Sequence, residues 1–255
     1  VPETPEALLA ARDLAKEFIP GSPVVAGIDL RLEAGELVVL AGRNGSGKSV
    51  LCKMLSGLIP PSSGGLFFEG QAFSAFRDSH ARRVGYAFQD ARLQAIGERV
   101  LDDCMFGPMN VGFSAAEAEA KALRALALCG LEARQEAFVH SLSGGEQRRL
   151  SLAGILALEP RAVILDEPFA NLDLDGVRSV LRIVKELQSQ GKGLIIATHE
   201  IEKVLGLARR LVVLDGGRIA LEGDPAQVLS EDLEPLGLRN PLEAHKSVSE
   251  LSWLD

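Results

Sequence analysis

One stretch limits the folds open to this 255-residue chain. It is Gly42-Arg43-Asn44-Gly45-Ser46-Gly47-Lys48-Ser49, which directly follows the apolar run Leu37-Val38-Val39-Leu40-Ala41. A strand, a glycine-rich turn and a helix start are expected in that order, the context and spacing of a phosphate-binding P-loop. The glycines let successive backbone N–H groups curl around the β- and γ-phosphates of a nucleoside triphosphate. Lys48 adds a point charge and Ser49 a hydroxyl suited to Mg²⁺. Gly42, Asn44, Gly45, Ser46, Gly47, Lys48, Ser49 and Val50 are therefore the expected nucleotide-binding residues at this loop.

Apolar runs like the one before the loop recur at 163–166, 194–198 and 211–214. Each is nearly continuous rather than alternating, as strands buried on both faces of a parallel sheet require. Helix-like stretches at 175–190, stopped by Gly191, and at 200–210 lie between them, so an α/β core is expected. The opening residues 8–33, with 65–73, read instead as short strands broken by Pro and Gly, suited to a small antiparallel layer. From about 90 to 158 the pattern turns helical. Ser114-Ala115-Ala116-Glu117 is a capping box, Glu117 and Lys121 are spaced i,i+4, and Gly130 closes that helix. The whole chain, 1–255, reads as one folded unit, with 90–158 as an inserted helical subdomain and 221–255 as a C-terminal extension.

Hydrophobic residues make up 47% of the chain and charged residues 24%, which is ordinary for a globular protein. No run reaches the length of a membrane span and no secretory signal is visible, so any membrane role is expected to be peripheral. The chain opens on Val1 rather than Met, and the native start is expected to have been trimmed or replaced. A net charge of −8 leaves no general basic surface for nucleic acid. Between 221 and 255, eight acids against Arg239 and Lys246 leave −6, a poor match for anionic lipid. The three cysteines, Cys52, Cys104 and Cys129, have neither metal spacing nor even number, and are expected as reduced core thiols.

A second stretch narrows the class. Leu142-Ser143-Gly144-Gly145-Glu146-Gln147 stands at the start of a helix-like run, where unpaired N–H groups favour an anion. Alone it could be a bare helix cap. Beside the P-loop it resembles the LSGGQ signature of the ABC ATPase family, with Glu146 where Gln is frequent. The family's motifs follow in its order over most of the chain. Val163-Ile164-Leu165-Asp166-Glu167 is an apolar strand ending in two carboxylates, Asp166 suited to Mg²⁺ and Glu167 to the attacking water. Gln89 matches the family's Q-loop glutamine, implying contact with Mg²⁺ and the water. His199, after Leu194-Ile195-Ile196-Ala197-Thr198, matches the histidine that meets the γ-phosphate, and Leu172-Asp173 resembles the D-loop at the dimer seam. Phe18 stands where a tyrosine usually stacks on adenine.

The resemblance implies a P-loop ATPase fold: a RecA-like parallel sheet, an N-terminal antiparallel layer and an inserted α-helical subdomain. It implies catalytic roles for Glu167, His199, Lys48 and Gln89, and Mg²⁺ at Ser49, Gln89 and Asp166. ATP on one chain would be capped by Ser143, Gly144, Gly145 and Glu146 of a second, with Asp173 at the seam. Since the chain carries one P-loop and one signature, a homodimer or related heterodimer is implied.

Val100-Leu101-Asp102-Asp103-Cys104-Met105-Phe106-Gly107-Pro108-Met109-Asn110-Val111-Gly112 resembles the V-E-E-D-V-A-F-G-P-x-N-x-G region of energy-coupling factor ATPases, importers of cobalt, nickel and vitamins. Ala153-Gly154-Ile155-Leu156-Ala157-Leu158-Glu159-Pro160 is similar to their A-G-V-L-A-M-x-P, and Leu221-Glu222-Gly223-Asp224-Pro225 also follows their pattern. Asp90-Ala91-Arg92-Leu93-Gln94 and Cys104-Met105 depart from it. Peripheral attachment at the cytoplasmic face of the cell membrane is then implied, through an integral membrane scaffold subunit and a substrate-binding membrane subunit. Phe106 and Pro108 become candidates for the scaffold groove, and Leu236, Leu238, Leu251, Trp253 and Leu254 for contact with the dimer mate. A lipid- or drug-exporting ABC system, or a soluble ABC ATPase of iron–sulfur assembly or DNA repair, is the alternative.

Overall fold

A computed structural model describes residues 7–72, 83–90, 94–243, 247–248 and 253. The chain begins with two long antiparallel strands, β1 (Leu9–Ile19) and β2 (Ser22–Leu32), followed by β3 (Leu37–Ala41) and helix α1 (Lys48–Leu55). Strands β4 (Ser63–Phe68) and β5 (Gln71–Ala72) complete an antiparallel sheet of order β2-β1-β4-β5. The expected small layer is thus present, built on 11-residue strands rather than short ones. Phe73, at the end of the expected range, lies outside the described residues.

Strand β6 (Val84–Ala87) leads into helices α2 (Val100–Asn110), α3 (Ala115–Leu128) and α4 (Gly144–Leu156). Then come β7 (Ala162–Asp166), α5 (Leu174–Ser189), β8 (Gly193–Ala197), β9 (Arg210–Asp215), β10 (Arg218–Gly223) and the short α6 (Pro225–Val228). The second sheet runs β10-β9-β3-β8-β7-β6. Its pairs from β9 to β6 are parallel, and β10 closes one edge antiparallel to β9.

Continuous apolar strands acquire their meaning here. Along β3, Leu37, Val39 and Ala41 enter one core, while Val38 and Leu40 enter another. The first core lies under α4 and α5 and reaches the helical subdomain through Val100, Cys104, Ala122 and Leu126. The second is filled by Leu51, Met54 and Leu55 of α1 and by Leu14, Ile28 and Leu30 of the antiparallel layer. A strand covered on both faces has no polar side to show, hence no alternation. Helix α5 buries Val177, Val180, Leu181, Val184 and Leu187, the spacing of a single helical face. Asp173 caps its start, accepting from Gly176 N at 2.8 Å.

Other expectations need revising. Residues 200–210 form two short 3₁₀ turns, Ile201–Lys203 and Leu205–Leu207, rather than a helix. Glu117 makes the predicted capping box with Ser114, but Lys121 turns away from it to pair with Glu159. Leu238 is buried in the first core and is not available to a dimer mate, while Leu236 packs against that core half-buried. Trp253, 36% exposed, folds back on its own chain, its backbone N–H donating to Lys203 O at 3.2 Å. Leu251 and Leu254 lie outside the described residues. All three cysteines are buried and free, as expected. Among the described residues no helix is long and apolar enough to cross a membrane.

Candidate nucleotide site

The edge where the parallel strands end collects the expected chemistry. After β3 the chain enters the glycine loop and passes into α1, whose N-cap Gly47 supplies no side-chain acceptor for the helix's first N–H groups. Those amides are the natural anion partners. Lys48 Nζ bends back over the loop, donating to Gly42 O at 2.7 Å and Arg43 O at 3.2 Å. Burial lowers its pKa, and the carboxylates of Glu167 and Asp166 oppose that shift.

One cleft, of about 390 Å³, is lined by Asn44, Gly45, Gly47, Lys48, Ser49 and Val50 together with Gln89, Glu167 and His199. Sequence segments more than a hundred residues apart therefore converge on a single chamber. A neighbouring cleft joins Ser49, Gln89 and Asp166, the predicted metal set, with Tyr86, Gly144, Arg148 and Asn171. Ser49 and Gln89 border both. Among the described residues, only two buried side-chain oxygens lack a hydrogen-bond partner: Ser46 Oγ and Asp166 Oδ1. Both belong to this site, where a triphosphate and its cation would satisfy them. The donor set is all oxygen, as Mg²⁺ prefers.

The carboxylates are held by neighbours that sequence reasoning did not single out. Tyr86 Oη donates to Asp166 Oδ2 at 2.8 Å, leaving Oδ1 as the free oxygen. Burial, then the Asp166 charge, push the phenol pKa upward, so Tyr86 stays a donor. Glu167 adopts a left-handed backbone at φ 47, a conformation costing a non-glycine residue about 1–3 kcal/mol. Its N–H donates to Ala197 O at 2.8 Å, and Thr198 Oγ1 donates to its Oε2 at 3.1 Å. His199 Nδ1 lies 3.1 Å from both Glu167 carboxylate oxygens. Thr198 is fully buried, whereas the His199 ring is 54% exposed at the mouth of the cleft. Glu167 is thus aimed from behind while His199 faces outward.

Not every expected residue reaches the clefts. Phe18 sits on β1 with 62% exposure, its ring beneath the Lys16 ammonium, and Val24 of β2 lines the chamber instead. At the start of α4, Gly144 borders the second cleft, whereas the exposed Ser143 and half-buried Gly145 line neither. The Glu146 carboxylate is already committed. It accepts from Ser143 N at 2.8 Å and Ser143 Oγ at 2.9 Å, closing a capping box, and takes Arg134 Nε at 2.9 Å. These bonds, led by the one from Ser143 N, hold its pKa below the usual carboxylate value. The Asp173 carboxylate is likewise spent on its helix cap. Phe106 is 41% exposed while Pro108 is buried inside α2.

Comparison with known proteins decides the class, because the family model described as ABC transporter matches residues 25–170, more than half of the chain. The chain belongs to the ABC transporter family. Among its ABC relatives, the energy-coupling factor transporter ATP-binding protein EcfA2 of Methanospirillum hungatei is 36% identical over 229 residues. That alignment covers 89% of this chain but 58% of that protein. The cobalt import ATP-binding protein CbiO of Rhodobacter capsulatus is 38% identical over 92% of this chain and 86% of its own. In structure this ABC ATPase superposes on CbiO1 of Clostridium perfringens, part of the transporter complex cbiONQ, with TM-score 0.80 at 31% identity. The match covers 94% of this chain and 98% of that one. As an ABC ATPase the chain has the P-loop fold expected of it and binds ATP.

Proposed function

We propose that this chain is the ATP-hydrolysing subunit of an ABC importer of the energy-coupling factor type, driving uptake of a metal ion or vitamin. The observation that carries the catalytic half is the single chamber uniting Lys48, Ser49, Gln89, Glu167 and His199. The likeness to EcfA2, CbiO and CbiO1 supports the import half. A lipid- or drug-exporting system, or a soluble ATPase of iron–sulfur assembly or DNA repair, finds no support in those relatives' names.

In this reading the loop amides and Lys48 cradle the β- and γ-phosphates, and the exposed Phe18 ring exchanges the Lys16 ammonium for the base. Ser49, Gln89 and Asp166 would hold Mg²⁺. When bound there, the ion offsets phosphate charge and orders the oxygens around the transferred group. Glu167 orients the attacking water and accepts its proton, held in aim by Thr198. His199 contacts the γ-phosphate from the chamber's mouth. Ser143 and Gly145 cover the ATP of a second chain, and the Asp173 segment lies at the seam between the two. The net charge of −8 argues against nucleic acid as a partner. Residues 1–255 act as one unit, with 90–158 as the helical arm and 221–255 as its C-terminal extension.

Attachment is peripheral, at the cytoplasmic face of the membrane, through a scaffold subunit that meets the surface around Phe106, and beside it a substrate-binding membrane subunit. Affinity capture of the tagged chain from detergent-solubilised membranes of its own cell is expected to recover a polytopic membrane protein in constant ratio. Recovery of the ATPase chain alone would contradict the import assignment.

A further inference from the structure

Helix α4 begins at the signature and runs along the strand that delivers Gln89. Three side chains on one face of that helix, at spacings of three and four, hold the delivery segment. Ile155 packs on β6 at Gly85, where a methyl group would fall 2.3 Å from Ile155 Cγ2. Ser151 Oγ bonds Gln94 Oε1, which also accepts from Phe88 N at 3.0 Å. Arg148, only 5% exposed, spreads its guanidinium across two successive carbonyls: Nη1 donates to Phe88 O at 2.7 Å and Nη2 to Gln89 O at 2.6 Å. Asp90 and Asp166 face its charge.

A planar fork reaching two carbonyls fixes both position and angle, which a single ammonium cannot do. Glycine at 85 lets the helix lie directly on the strand. The helix start and the Gln89 backbone are therefore tied together. That connection joins two different ATP sites, because the signature end serves the neighbouring chain's nucleotide while Gln89 borders this chain's own.

We propose that Arg148 is a positioning residue that couples the two ATP sites of the dimer, transmitting closure of α4 on the partner's nucleotide to Gln89 in its own site. This rests on the composite-site reading given above. When α4 docks, the fork carries the Gln89 backbone with it and sets the side chain against the metal position. Without the fork, each chain still binds ATP, but docking at one site no longer prepares the other.

The test uses the full chain with Arg148→Lys, which keeps the charge and loses the fork, and Arg148→Gln, which keeps one amide donor. Affinity for ATP in the absence of Mg²⁺ and the melting temperature are expected to stay near the parent's. Turnover at saturating Mg²⁺ and ATP falls by about 10- to 100-fold, the scale of a misplaced catalytic group. The Hill coefficient for ATP, above one in the parent, drops to one. Parent-like turnover and Hill coefficient in Arg148→Lys overturn the proposal, and so does a parent Hill coefficient of one. Parallel loss of ATP affinity, melting temperature and turnover in both variants also overturns it, since a purely structural residue behaves so. Sizing the Glu167→Gln protein with ATP keeps the two readings apart. If no dimer forms, the composite site fails whatever Arg148 does; if a dimer forms and Arg148→Lys is normal, only the coupling role fails.

Discussion

Glu167→Gln is expected to leave ATP affinity within about twofold of the parent while lowering turnover by about 10²- to 10⁴-fold, the usual contribution of a positioned general base. The two side chains have the same shape, and the Gln carbonyl can still accept the Thr198 hydroxyl that now bonds Oε2 at 3.1 Å. The backbone at 167 is held independently by the N–H donated to Ala197 O. What the amide cannot do is take a proton from water. Lys48 loses one of the two carboxylates that oppose its desolvation, so a modest shift in binding accompanies the change. Calorimetric titration with ATP and measurement of phosphate release separate the two effects. Undiminished release by the variant removes Glu167 from the role of base.

Gly42→Ala is expected to abolish measurable ATP binding and to destabilise the fold. At φ 146 the residue occupies backbone space that L side chains rarely enter. A Cβ there would fall 2.3 Å from Leu214 O and 2.7 Å from Ser46 Oγ. Ser46 could rotate aside. Leu214 cannot, because its carbonyl belongs to β9, which pairs with β3 through Ala41 and Val213. Either the phosphate loop lifts off the sheet or β9 retreats from β3. Overpacking of this kind costs about 1–3 kcal/mol, with backbone strain of about 1–3 kcal/mol added. A domain of this size loses roughly 2–4 °C of melting temperature per kcal/mol. Gly45→Ala is the control: its φ is also positive, but nothing lies within 4 Å of the added methyl. Calorimetric melting should therefore show a smaller loss for position 45 than for 42. Equal losses would mean that strain, not the Leu214 contact, governs the loop.

Four of the five parallel strands were legible because burial on both faces forces unbroken apolar runs; β6 (Val84–Ala87), interrupted by Gly85, was not among those runs. The P-loop, the paired carboxylates and His199 were legible for a related reason: each follows such a run directly, and strand ends share one sheet edge. The 200–210 segment reads as helix because its apolar residues have helical spacing, yet it folds as two 3₁₀ turns. A continuing helix would use the carbonyl of Lys203 internally, but Trp253 N–H takes it from fifty residues away. Local spacing alone pairs Lys121 with Glu117. Glu117 is consumed by the cap of its own helix, and Glu159 arrives from the end of α4 to take the ammonium. Tyr86, Thr198 and Arg148 escaped notice because their partners are tertiary. No local pattern marks a phenol aimed at Asp166 or a guanidinium bridging two carbonyls of another element. Analogy alone points the apolar tail outward, whereas Leu238 fills this chain's own core.

Shared catalysis is the central claim, and its most direct measurement is phosphate release per chain, at saturating Mg²⁺ and ATP, across a wide range of protein concentration. On the proposed composite site each chamber takes Ser143 and Gly145 from a neighbour, so specific activity is expected to fall toward zero on dilution, in step with loss of the dimer by light scattering. Specific activity that holds constant into the range where only single chains remain would contradict the account.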